Sequence, residues 1–217
     1  MSEEPRLLPL FPLNVVLFPG MVLPLHIFEE RYKLMMGTCM VGDQLFGVSL
    51  IREGEEVGAP AVPFDMGTVA RITRLQRLPD GRMNLLATGE QRFRLLEAPR
   101  ATPYLVAQVE TIPPVSADLP EDLATSARDE LAQYFALMGR DVPDLDAPDD
   151  FPAEALSYQV ASVLKIDAAG RQELLEIDDP IARLEAGLKI LRQERQFLKI
   201  LAESGGGPDS IGPFSKN

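Results

Sequence analysis

The sequence contains few side chains that could carry out a reaction. His26 is its only histidine and Cys39 its only cysteine, which excludes zinc sites built from paired histidines or clustered cysteines. A catalytic triad or dyad would have to use His26 as its base, and no nucleophile motif lies near it. The chain also lacks a Gly-Lys-Ser/Thr phosphate loop. We predict a hydrogen-bonded structural histidine, and no catalytic residue, metal or cofactor.

One acidic cluster has the composition of a calcium loop but not its pattern. The glycine at the sixth position and the distal glutamate that such a loop requires are both absent. We therefore expect a solvated linker at these four residues: Asp144, Asp146, Asp149 and Asp150.

Six arginines form the main concentration of positive charge. Two of them, Arg92 and Arg94, alternate with Phe93 and Leu95, which predicts that both arginines lie on the solvated face of a strand. We expect a solvated sheet face paired with glutamates, with an anion or nucleic-acid site as the alternative. The arginines are Arg71, Arg74, Arg77, Arg82, Arg92 and Arg94, and the glutamates are Glu90 and Glu97.

Composition argues against nucleic-acid and membrane partners. The net charge is −12 at pH 7, whereas attraction between phosphates and Lys or Arg dominates nucleic-acid affinity. No apolar run reaches the roughly 20 residues of a membrane helix, and the N-terminal Met-Ser-Glu-Glu-Pro is acidic where a signal peptide is basic. A single cysteine fits a reducing compartment. We expect a cytoplasmic protein without nucleic-acid or membrane partners.

The N-terminal stretch 7–36 would have to position any nearby site. It is mostly apolar, and four prolines exclude a helix from its first part, which favours short strands with a turn at Pro19-Gly20. Apolar residues then recur at helical spacing, which predicts a short helix from Phe28 to Gly37 with Gly37 as its C-terminal cap. The prolines are Pro9, Pro12, Pro19 and Pro24.

The following residues, up to 112, are β-rich in pattern. Pro79-Asp80-Gly81 is a strong hairpin turn signal, and Gly89 in the second arm predicts a bulge or a bend. Several strands with one short helix predict a small mixed barrel. The expected strands are 44–51, 67–78, 83–97 and 104–112.

After Pro113-Pro114 the pattern becomes helical. The longest predicted helix begins at Asp179, a good N-cap, and its apolar stripe would pack within its own bundle or pair with another chain. We therefore predict an α+β fold with a β-rich domain at 1–115, a helical domain at 116–204 and a disordered tail at 205–217. The stripe consists of Ile181, Leu184, Leu188, Leu191 and Leu198.

An ordered set of short motifs across residues 6–203 resembles the N-terminal domain of Lon proteases. Single motifs are weak, but their order along the chain is specific to that family. The matching segments are Leu8–Leu13, Val15–Gly20, Leu23–Leu25, Met66–Ala70, Leu78–Gly81, Ala87–Phe93, Leu174–Glu176 and Asp179–Leu184.

The resemblance implies a PUA-like pseudo-barrel followed by a helical bundle. In Lon proteases this region recognises substrate, while other modules unfold and cleave it. The sequence contains neither the ATPase motif nor a Ser-Lys protease domain, and so resembles the stand-alone members of the family. We therefore expect a non-enzymatic, ATP-independent module that binds unfolded or exposed protein segments.

Two other functions stay open at this point, as does the oligomeric state. The chain could be an adaptor or scaffold that acts through its C-terminal helices. It could also be an enzyme acting on a small molecule, which only kinship to PUA-like folds suggests.

The candidate binding residues surround the first predicted helix. Methionine-rich surfaces adapt to varied partners, although the same side chains could simply fill the core between the helix and the barrel. The candidates are Met21, Phe28, Arg31, Tyr32, Met35 and Met36.

Overall fold

The chain separates into two compact units, residues 1–114 and 115–217. The computed structural model describes residues 5–58, 61–101, 103–140 and 152–203. The predicted acidic linker, with its four aspartates, and the predicted tail lie outside these residues. The first unit is β-rich and the second is helical, so strands and helices are segregated along the chain.

Strands and a single helix form the first unit within the described residues. Its turns are the predicted ones: Gly20 and Gly81 both have positive φ, +80° and +82°, which glycine adopts without steric cost. The elements are β1 (Arg6–Leu13), β2 (Val22–Ile27), α1 (Glu30–Val41), β3 (Leu45–Glu53), β4 (Val62–Arg77), β5 (Met83–Leu95), β6 (Arg100–Ala101) and β7 (Leu105–Thr111).

The strands form one mixed sheet that closes on itself. Their order is β2-β5-β4-β3-β1-β7-β6, and β5 also pairs with β7. Strand β7 covers β1 only at Arg6–Leu10 and β5 only at Phe93–Leu95, whereas β2 covers β5 at Val22–Ile27. The sheet is therefore closed by β7 at one end. At the other end an opening separates β2 from residues 11–13 of β1.

Helix α1 places its buried face in the core beside this opening. The prediction that it runs from Phe28 to Gly37 is wrong at both ends: it begins at Glu30 and ends at Val41, with Gly42 as its C-cap. The helix continues past Gly37 because its apolar stripe continues, and Phe28 precedes it. The stripe consists of Tyr32, Met35, Met36 and Cys39, all buried in one cluster with Phe11, Leu13 and Ile27.

Two glycines allow parts of the first unit to approach closely. A Cβ on Gly67 would lie 2.4 Å from the Val48 carbonyl oxygen, and one on Gly89 would lie 2.4 Å from the Phe18 carbonyl oxygen. Opposite Gly89, the β4–β5 register shifts between Val69 and Ala70. The predicted irregularity at Gly89 is therefore confirmed, and it lets β5 bend against the preceding loop.

The prediction that Arg92 lies on a solvated face is wrong. This side chain is only 2% exposed, whereas Arg94 is exposed as expected. The pairs Thr68–Arg92, Gly67–Phe93 and Met66–Arg94 follow one another without a shift, so the two arginines lie on the same face of β5. That face is covered at Arg92 and open to solvent at Arg94. Arg92 points into the unit, where its Nη1 lies 3.7 Å from the sulfur of Met66.

Helices form the second unit. The predicted N-cap is confirmed, because Asp179 Oδ1 accepts the Ile181 N–H at 2.9 Å. On the longest helix, Leu184, Leu188 and Leu191 are at most 1% exposed, so the apolar stripe packs within the unit. The helices are α2 (Glu121–Leu137), α3 (Pro152–Val163), α4 (Ala168–Glu176) and α5 (Pro180–Glu203).

A fully buried arginine joins three parts of the helical unit. Arg183 has no exposed surface. Its Nη1 donates to Ser157 Oγ at 2.8 Å, its Nη2 donates to the Ile177 carbonyl at 2.6 Å, and its guanidinium lies 4.1 Å from the centre of the Tyr158 ring. These bonds connect α5 with α3 and with the segment after α4.

A half-buried carboxylate, that of Glu194 on α5, links the ends of other helices. Its carboxylate accepts the Tyr134 hydroxyl at 2.9 Å and the Lys165 N–H at 2.9 Å. Burial raises the pKa of Glu194, and these two hydrogen bonds oppose the shift only in part. The folded chain therefore holds a proton on Glu194 more readily than the unfolded chain does.

Candidate functional site

A groove of about 240 Å³ lies at the opening of the sheet. Strands β1 and β2 supply its two sides, and the start of α1 and the β3–β4 loop complete it. Its volume is below the roughly 300–1,000 Å³ of typical small-molecule sites. Lining side chains come from Phe11, Leu13, Pro24, Leu25, His26, Ile27, Phe28, Glu29, Tyr32, Glu56 and Val57.

The floor of the groove is apolar and its rim is exposed. Phe11 and Tyr32 are each 6% exposed, whereas Phe28 is 49% exposed and Val57 is 54% exposed. The Phe11 and Tyr32 ring centres lie 4.1 Å apart. A partner side chain could therefore contact buried rings below and exposed apolar groups at the edge, an arrangement that favours binding.

Arg31 holds the rim of the groove together. Its guanidinium lies 4.5 Å from the centre of the Tyr32 ring, and its Nη2 is 3.1 Å from Glu29 Oε2 and 3.4 Å from the Glu56 carbonyl oxygen. Burial raises the pKa of Tyr32 despite the opposing charge of Arg31, so the phenol is neutral at physiological pH. Arg31 thus joins the β3–β4 loop to the start of α1.

The six residues predicted from the sequence take different positions. Phe28 and Tyr32 line the groove, and Arg31 supports it from beside Tyr32. Met35 and Met36 have no exposed surface, so in this conformation they form the core beneath α1 and offer no contact area. Met21 is partly buried and packs against the same core cluster.

Sequence reasoning missed most of the groove because its sides come from strands far apart in the chain. Phe11 and Leu13 belong to β1 and Val57 to the β3–β4 loop. Apolar pattern alone marks Phe11 and Leu13 as core residues, which they also are. The available signal was Pro24, since proline in a strand indicates an edge.

His26 and Cys39 take part in no catalytic arrangement that the structure displays. His26 Nδ1 lies 2.7 Å from Asn84 Oδ1, which confirms the predicted hydrogen-bonded histidine. Cys39 is 3% exposed, and burial raises the pKa of its thiol to about 11. The thiol is therefore protonated and shielded at neutral pH.

The structure contains only part of the predicted arginine face and of its pairing with glutamates. Arg71 makes a bidentate contact with Glu90, as expected, and Arg82 pairs with Asp80 at 2.6 Å. Glu97 instead faces Arg100 at 3.9 Å. With Arg92 buried, the arginines do not form one common surface.

The described part of the chain contains neither a cluster of metal ligands nor a membrane-spanning helix. No group of three or more His, Cys, Asp or Glu residues there could hold a metal ion. None of the described helices is both long and apolar enough to span a bilayer.

Curated relatives match almost the whole chain. The model of the family described as "ATP-dependent protease La (LON) substrate-binding domain" matches residues 7–193. A Lon protease of Trichlorobacter lovleyi is 30% identical over 92% of this chain and 25% of its own length. Lon protease 2 of Herpetosiphon aurantiacus is 34% identical over 89% of this chain and 24% of its own length. The chain thus spans about a quarter of each relative.

Solved structures agree in fold. The crystal structure of a Lon N-terminal domain protein from Xanthomonas campestris has a TM-score of 0.66 at 31% identity, covering 83% of this chain and 95% of that one. The N-terminal domain of the Mycobacterium avium complex Lon protease has a TM-score of 0.58 at 16% identity, covering 86% and 98%. This second likeness concerns the fold alone. With its mixed sheet, its helices and a family match over residues 7–193, the chain belongs to the Lon substrate-binding domain family.

Proposed function

We propose that the chain is a non-enzymatic module that recognises unfolded or exposed segments of other proteins. The observation that carries the proposal is the apolar groove at the opening of the sheet, with buried Phe11 and Tyr32 beneath exposed Phe28. Membership of a family described as a substrate-binding domain supports it. In this proposal Phe28 and Tyr32 contact the client, and Arg31 keeps Tyr32 in place.

The chemistry of the groove favours recognition over reaction. Its one histidine is hydrogen-bonded to Asn84, and its side chains are otherwise mostly apolar, with Glu29 and Glu56 at the rim. We therefore propose that binding neither alters the client nor requires ATP. Equal affinity in the presence and absence of Mg-ATP is the expected result.

The test compares two exposed apolar side chains, one in the groove and one outside it. Phe28 is 49% exposed in the groove lining, and Leu34 is 54% exposed on α1 but does not line the groove. A dye-labelled, reduced and carboxymethylated protein serves as the unfolded client. Fluorescence anisotropy should show about tenfold weaker binding for Phe28→Ser, and less than about twofold change for Leu34→Ser.

Circular dichroism provides the folding control, since both variants replace surface residues and should retain the native spectrum. Absence of binding by the unchanged protein at about 1 mM would reject the function. Equal losses in the two variants would reject the groove as its site.

An adaptor that uses the α5 stripe is less well supported. Leu184, Leu188 and Leu191 are already buried within the helical unit, so a partner helix would have to displace existing contacts. A strictly monomeric species in sedimentation that captures unfolded protein would favour the recognition module over the adaptor.

A further inference from the structure

We infer that the client binds as an additional β-strand along the outer edge of β2, in an extended conformation that places apolar side chains in the groove and a basic one near Glu56. This inference rests on the proposed function and specifies how the same groove would be used. It follows from the strand pairing, the hydrogen-bond alternation along β2, the groove volume and the charge at its rim.

The pairing leaves one edge of β2 uncovered. Within the described residues β2 pairs only with β5. Across the opening, residues 11–13 of β1 pair with β3 on their other side, and β7 reaches β1 only as far as Leu10. The opening thus lies between two strand edges, and an uncovered edge is a template for another strand.

The hydrogen-bond alternation shows which groups face that edge. Gly89 N–H donates to the Met21 carbonyl at 2.9 Å, so the hydrogen-bonded pairs of this antiparallel ladder contain the odd-numbered residues of β2. The even-numbered residues Val22, Pro24 and His26 therefore direct their backbone groups outward. Val22 and His26 each offer an N–H and a carbonyl there, whereas Pro24 offers only its carbonyl.

The residues whose backbone groups face the free edge also have their side chains on the solvent face of the sheet. Val22 is 53% exposed, and Pro24 and His26 are also exposed, while the alternate residues Leu23 and Ile27 are buried. The proline at the middle outward position fits the rule that strand prolines lie on edges, where no ladder donor is lost.

The groove next to this edge suits alternate side chains of an extended peptide. Residues 24–27 of β2 line it on one side, and Phe11 and Leu13 of β1 line it on the other. Its volume of about 240 Å³ is small for a whole ligand but suits side chains delivered by a strand whose backbone lies outside. Main-chain bonds would then supply affinity that is independent of sequence, and the groove would select apolar residues.

Charge at the rim selects further among extended segments. Arg31 offsets Glu29 at 3.1 Å, whereas Glu56 accepts the Asn14 N–H at 3.2 Å and has no ion pair among the described residues. A client with Lys or Arg beside its apolar residues is therefore favoured over an acidic one. The net charge of −12 acts in the same direction.

The test uses a dye-labelled eight-residue peptide of alternating Val and Thr with a terminal Lys, and a matched peptide with Glu in place of Lys. Amide hydrogen exchange measured by NMR should show new protection at Val22 and His26 of β2 when the peptide binds. The amides of Leu23 and Leu25, already in the β5 ladder, serve as internal controls and should not change.

A protein variant separates strand addition from side-chain packing by the sign of its effect. Pro24→Ala supplies the missing outward N–H while removing part of a groove side chain. Strand addition predicts about fivefold tighter binding, the value of one net hydrogen bond. Packing alone predicts weaker binding. Glu56→Gln should reduce the preference for the Lys peptide over the Glu peptide to less than about twofold.

The outcomes distinguish the two proposals. A peptide that binds with dependence on Phe28 but neither protects Val22 and His26 nor binds Pro24→Ala more tightly overturns strand addition and leaves the recognition function in place. A peptide that does not bind at about 1 mM, together with an unbound unfolded client, overturns both.

Discussion

Different interactions stabilise the interior of each unit of this protein. In the sheet unit the core between α1 and the strands is almost entirely apolar, and the strands leave an opening beside it. In the helical unit the joints between helices are made by charged side chains, the fully buried Arg183 and the half-buried Glu194. Apolar cores tolerate adjustment, whereas buried charged groups need precise geometry. The apolar core beneath α1, which does not include the buried Arg92, is therefore expected to adjust more readily than the joints of the helical unit.

The largest expected effect concerns the helical joint at Arg183. Arg183→Met keeps most of the side-chain volume but leaves Ser157 Oγ and the Ile177 carbonyl without their donor. We expect a loss of about 3 kcal/mol in the free energy of unfolding, measured by urea denaturation with helical circular dichroism. The thiol of Cys39, which belongs to the sheet unit, should keep its native rate of reaction with a thiol reagent. A rise in that rate would show that the two units unfold together.

The second-largest expected effect is on the sheet unit, at the close approach of Gly67 to its neighbours. Gly67→Ala places a methyl group 2.4 Å from the Val48 carbonyl oxygen and 2.6 Å from the Phe93 ring, so the strands must separate. We expect a loss of about 2 kcal/mol and faster Cys39 labelling, with most of the helical signal kept at intermediate urea. Labelling that stays as slow as in the unchanged protein would contradict the expectation.

A smaller effect depends on pH and belongs to the helical unit. Because the folded-state pKa of Glu194 is raised, its contribution to stability is present below the unfolded value and decreases as pH rises through the folded one. Glu194→Gln should therefore flatten the decrease in helical-unit stability as pH rises from about 4.5. The rate at which the Cys39 thiol reacts with a thiol reagent should vary with pH in the same way in the variant and in the unchanged protein. An unaltered slope in the variant would assign the effect to another group.

The smallest expected effect strengthens α1. A Cβ on Gly37 meets nothing within 4 Å, and Gly37 lies inside the helix. Gly37→Ala should therefore stabilise the sheet unit by about 0.5–1 kcal/mol, detected as slower Cys39 labelling. Gly37→Ala and Gly67→Ala make the same substitution in the same unit and are expected to change its stability in opposite directions. A destabilised Gly37→Ala variant would mean that α1 needs glycine for another reason.

Local chemistry made some elements predictable. The turns at Gly20 and Gly81 and the N-cap at Asp179 depend on single residues with strong preferences. Helix α1 was misplaced because Gly37 looked like a terminator, although tertiary burial of Cys39 extends the helix past it. Propensity is a weak guide when packing opposes it.

The candidate site was less predictable than the fold. Its rings Phe28 and Tyr32 were identified, whereas Met35 and Met36 fill the core, the alternative stated for them. An apolar stripe predicts that a helix face is covered, but not whether the chain's own core or a partner covers it. Arg92 was misplaced because alternation shows which residues share a face of a strand, but not where along that face other segments cover it. Packing between segments that are distant in the sequence decides the burial of these methionines and of Arg92, and the local sequence pattern does not reveal that packing.

Pro24 has a consequence for the solubility of the protein itself. Two copies that met edge to edge along β2 would each lack a donor at the same central position, so a continuous ladder between them is interrupted. A chain that offers an uncovered edge beside an apolar groove risks forming fibres or precipitates of its own. The proline limits that risk. If clients bind by strand addition as proposed, it also lowers their affinity, and residues at this position that improve capture are expected to increase self-aggregation.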